Sequence, residues 1–103
     1  EQFVEASRLF AERIIKEGGD TFESRLDHAF MLATARPADA LRRRVLKKLH
    51  DRQYEVFLAD PERGAALLKV GDYPRATNMK EAELAAWTMT ASAIFNLDES
   101  LTH

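Results

Sequence analysis

Apolar residues recur in this chain at intervals of three and four almost from end to end, and no stretch alternates with the period of two that a strand requires. That spacing restricts the fold class to all-α. Gly18-Gly19, Pro37, Asp60-Pro61 and Gly71 cut the pattern into segments. The expectation is a compact helical bundle of four longer helices and one short one, at about 3–17, 21–35, 38–58, 61–70 and 79–96.

In the first helix, Phe3, Ala6, Phe10 and Ile14 form one stripe and Val4, Ala11 and Ile15 a second, which predicts burial on more than one side. Asp20 and Glu23 have capping-box spacing ahead of Phe22, Leu26, Ala29, Phe30 and Ala33 on one face. Pro37 disfavours helical geometry at Arg36 and ends that element. Leu41, Val45, Leu49, Val56 and Phe57 are expected to point inward from the third helix. Asp60-Pro61 then pairs a cap with proline at the first helical position. Asn78 and Glu81 repeat the capping spacing, and the last helix is expected to end near Asn96, followed by a turn with a weak last helical turn over 97–103. Leu84, Trp87, Ala91, Ile94 and Phe95 share a face widened by Ala85, Ala86, Met89 and Ala93, which makes this helix the expected centre. Trp87, flanked by small residues, reads as a core anchor. Short connections favour antiparallel neighbours.

The 103 residues suit one domain with one core, over positions 1–103. A net charge of -2 demands neither nucleic acid nor an anionic membrane, and no run approaches the ~20 apolar residues of a membrane span. Without cysteine there is no disulfide, zinc-thiolate site or Cys-x-x-Cys-His haem attachment in these residues. The chain opens on Glu1-Gln2-Phe3 with helical spacing already running, so it reads as a piece of a larger protein whose targeting segment lies elsewhere.

Motifs for chemistry are sparse. His28, His50 and His103 stand at no metal-binding spacing, and pairing His28 with His50 on a haem would need a coincidence of packing. Asp20, Glu23 and Asp27 line one side of the second helix, where an acidic first turn favoured by the helix dipole is preferred to a cation site. There is no nucleophile elbow and no phosphate loop. No catalytic residue, cofactor or metal is therefore assigned. The strongest charge feature is Arg42, Arg43, Arg44, Lys47, Lys48 and Arg52. Six cations in three turns could grip phosphates, but Asp39, Asp51 and Glu55 share the helix, so a solvated or partner-contacting face is preferred.

Several runs together carry a resemblance: Phe3-Val4-Glu5-Ala6-Ser7-Arg8, Ala11-Glu12-Arg13-Ile14, Arg25-Leu26-Asp27-His28-Ala29-Phe30-Met31-Leu32-Ala33, Glu83-Leu84-Ala85-Ala86-Trp87-Thr88 and Asn96-Leu97-Asp98-Glu99. Their order resembles the C-terminal part of an uncharacterised domain of large bacterial proteins that often carry a planctomycete-type cytochrome c domain. The resemblance covers nearly the whole chain. It departs at Arg36-Pro37, where that family carries glycine before the arginine and a longer entry to the next helix. It implies an exported protein, periplasmic or envelope-associated, with any redox chemistry in another domain and no catalytic residue to carry over.

Three functions follow. The first is a non-enzymatic structural and interaction module that contacts the rest of its parent or another envelope protein, with Arg42, Arg43, Lys47, Asn96, Asp98 and Glu99 as candidate interface. The second is an active site completed only in the full-length protein, a hydrolase or oxidoreductase drawing on Arg36, Asp98 and Glu99. The third is nucleic-acid binding through 42–52. The first is preferred, with no nucleic acid and no membrane insertion.

Overall fold

A computed structural model describes the backbone of residues 2–101 and the side chains of residues 2–97. The helices are α1 (Gln2–Glu17), α2 (Phe22–Thr34), α3 (Ala40–Ala59), α4 (Pro61–Leu68) and α5 (Glu81–Leu101), with no strand among the described residues. The single domain is an all-α bundle, and its radius of gyration of 12.8 Å is that of a compact domain of this length.

Helix α5 is the axis. It packs on all four other helices, most extensively on α1 and α3. From Leu84 to Thr88 every residue is buried, as are Thr90, Ala91 and Ile94. A helix apolar on all sides belongs in the middle of a bundle. Its two buried threonines bond back into their own helix, Thr88 Oγ1 to the Leu84 carbonyl at 2.7 Å and Thr90 Oγ1 to that of Ala86 at 2.8 Å. The helix starts at Glu81 rather than 79, and it continues to Leu101, where a turn with a weak last helical turn was expected after Asn96.

The other helices lay short apolar faces on this axis. Helix α1 buries Ala11 and Ile14 of the two expected stripes, with Phe10 and Ile15 packed against the core, and adds Ser7 and Arg8; at its start Ala6 is exposed and Phe3 half-exposed against Phe95. Its end meets α2 closely at Gly18, where a Cβ would lie 2.5 Å from the Ile14 carbonyl oxygen and 2.9 Å from Arg25 Cα. Helix α2 is capped by Thr21, whose hydroxyl accepts from Ser24 N, so the expected Asp20 box is displaced by one residue. It ends at Thr34 because Ala35 takes a left-handed backbone, φ 58°.

Helix α3 turns inward only part of the face expected. Phe57 is buried and Leu49 partly so, as read, and Leu46 joins them, whereas Leu41 and Val45 in the first two turns stand 61% and 55% exposed. Two apolar rows overlap on this helix, and α5 covers only the one through Leu46. Helices α2 and α3 meet through side chains rather than close backbone approach: Phe22 of α2 packs on His50 of α3, and Arg43 reaches Glu23 and Asp27.

Candidate functional site

The six cations of α3 divide into an inner and an outer set. Asp39 caps the helix, accepting from Arg42 N at 2.8 Å and pairing with the Arg42 guanidinium. The Arg42 amide, with its side chain, holds the Asp39 carboxyl below its ordinary range. Arg43 crosses to α2, where it binds Asp27 and lies 3.1 Å from Glu23 Oε1. The hydrogen bond to Asp27 raises the Arg43 pKa further. Lys47 Nζ lies 3.1 Å from Asp51 and 4.9 Å above the Phe22 ring. These three residues, read as interface candidates, join the ends and neighbours of α3 together. Arg44, Lys48 and Arg52 are exposed, and none has a carboxylate within ion-pair distance among the described residues.

Beneath the inner set lies an aromatic cluster. Trp87, 1% exposed, stacks on Phe22 with ring centroids 5.2 Å apart, and His50 fits against both at 4.9 and 5.0 Å. The indole thus occupies the core position expected of it. His50 Nδ1 lies 3.0 Å from Asp51, while its Nε2 is buried and bonded to nothing among the described residues. Burial opposes ionisation of Asp51, but hydrogen bonds from His50 and Lys47 outweigh it and leave that carboxyl below its usual value. A hollow of about 120 Å³ beside the cluster is bordered by Arg25 and Glu83, an ion pair of 2.6 Å. His28 keeps separate company, with Nε2 2.9 Å from Glu17. No group of three His, Asp or Glu side chains placed to hold a metal occurs among the described residues.

A second polar cluster was not anticipated. Arg8 is fully buried, 2.7 Å from Glu12 and hydrogen-bonded to the Tyr73 carbonyl. Glu5 and Glu12 accept from the amides of Tyr73 (2.7 Å) and Ala76 (3.0 Å). The three side chains strap the 71–76 segment onto α1. Gly71 makes this possible: its φ is +99°, and a Cβ there would come 2.2 Å from Glu5 Cδ. The signal was present as Glu5, Arg8 and Glu12 at i, i+3 and i+7, one face of α1. Next to the strap, an open groove of about 640 Å³ runs between α1 and residues 76–79, floored by Leu9, Ile15 and Met79.

At the other end, Asn96 is exposed on α5. The Asp98 and Glu99 side chains lie outside the described residues. Arg36 is exposed in the connection between α2 and α3.

No protein-family model, curated protein or solved structure matches this chain.

Proposed function

We propose that this chain is a non-catalytic structural and interaction module of a larger exported bacterial protein of the kind its sequence resembles. The observation that carries the reading is the outer face of α3, where Leu41 and Val45 remain exposed beside Arg44, Lys48 and Arg52, which have no ion-pair partner among the described residues. Single exposed apolar residues are ordinary, but two on adjacent turns, bordered by these cations, have the make-up of a contact surface. The covered polar groups support the non-catalytic part of the reading: Arg8 through the Tyr73 carbonyl and Arg25 through Glu83 each join separate segments of the chain. Envelope location comes with the resemblance.

Hydroxyl-radical footprinting tests the proposal by comparing the isolated chain with the intact parent polypeptide. Leu41 and Val45 are expected to be labelled less in the parent. Equal labelling in both would end the reading.

A further inference from the structure

Leu41, Val45, Lys48 and Arg52 follow one another at steps of four, three and four, the spacing of a coiled-coil seam. All four are exposed, on the side of α3 away from buried Leu46 and Phe57. The seam runs roughly 16 Å at 1.5 Å per residue, apolar in its first half and basic in its second. Arg44 flanks it and extends the cationic column through Lys48 and Arg52 at one-turn intervals.

We propose that this seam docks an acidic amphipathic helix of a partner protein; the inference rests on the interaction-module reading and specifies the partner's chemistry. Leucine-type side chains on the incoming helix cover Leu41 and Val45, and carboxylates one turn apart meet Arg44, Lys48 and Arg52. A second copy of this chain fits badly. Antiparallel pairing of two seams sets Leu41 against Arg52 and Val45 against Lys48, burying cations against aliphatic side chains, and parallel pairing sets each cation against itself. A nucleic-acid backbone is wider than one helix face and would overlap the inner row. There three cations, Arg42, Arg43 and Lys47, already face four carboxylates, Asp39, Glu23, Asp27 and Asp51. A bilayer would gain only two aliphatic side chains, too little apolar area for stable anchoring.

The test is a fluorescence titration of the whole chain with a synthetic helix of about three heptads, leucine at the seam positions and glutamate beside them. Parallel titrations use the same helix with lysine for glutamate, phosphatidylglycerol vesicles and duplex DNA. The glutamate helix is expected to bind, and raised salt to weaken it. L41D/V45D and K48E/R52E, both at exposed positions and checked for helicity by circular dichroism, are each expected to weaken it by about tenfold or more. K48E/R52E is further expected to prefer the lysine helix. No binding of the glutamate helix, binding unchanged in K48E/R52E, or tighter binding to vesicles or DNA would overturn the inference. Any of these would leave footprint protection in the parent unaffected, so the two proposals fail separately.

Discussion

The Arg8 guanidinium donates a hydrogen bond to the carbonyl of Tyr73, 65 positions along the chain, from a side chain with no exposed surface. Removing the cation leaves Glu5 and Glu12 largely covered, with only the Tyr73 and Ala76 amides to offset their charge. Arg8→Met is therefore expected to cost about 3 kcal/mol of stability in urea unfolding. Amide exchange at Tyr73 and Ala76, which donate to those carboxylates, should quicken. Unchanged stability and exchange would show that the strap contributes nothing.

Ala35 holds φ 58° with a Cβ attached. Left-handed geometry disfavours L-residues by roughly 1–2 kcal/mol, and glycine regains part of this against its greater unfolded-state entropy. Ala35→Gly should stabilise the chain by about 0.5–1 kcal/mol, read as a raised melting temperature. A lowered melting temperature would mean that the α2 terminus is not held in this conformation.

Glu17 joins the last turn of α1 to His28 of α2. Its carboxyl is held down to about 2 from an ordinary 4.5, by the hydrogen bond from Arg13 first and by that from His28 second. A carboxylate depressed in the folded state adds stability above its unfolded value and loses it as the pH falls through the folded one. Denaturant midpoints should thus drop between about 4.5 and about 2, and Glu17→Gln should drop less over that window. Salt should shrink the difference because the pair is exposed. A variant that follows the parent curve would remove Glu17 from the acid response.

Trp87 fills the junction of α2, α3 and α5 with Phe22 and His50. Trp87→Ala is expected to cost about 3–5 kcal/mol, a large share of a small domain's stability. Thermal unfolding followed by circular dichroism measures it. A loss below about 1 kcal/mol would contradict the indole's place as core anchor.

The helices and the central place of α5 were legible because both depend on local signals. Gly18-Gly19, Pro37 and Asp60-Pro61 interrupt the backbone wherever they stand, and a stretch such as Leu84-Ala85-Ala86-Trp87 has no polar side to turn outward. The start of helix α3 was misread, although Phe57 and Leu49 were placed correctly, because Leu41/Val45 and Leu46 lie on alternative faces of one helix and only the position of α5 decides between them. Thr21 and Asp20 are adjacent caps of similar strength, distinguished by which oxygen reaches Ser24 N. Arg8 was missed because arginine is normally exposed, and its burial depends on the distant 71–76 segment folding over it. The basic cluster was visible as composition. Its division into inner and outer sets was not, since Glu23 and Asp27 reach Arg43 from another helix.

Placing the axis of the bundle after the four helices it holds together has a consequence for biosynthesis. The first four segments share only minor contacts with one another, and most of their apolar faces stay open until the stretch through Ile94 emerges. Closure of the interior is therefore a late event for the nascent polypeptide, and a ribosome pausing before Leu84 would hold a sticky, half-assembled intermediate.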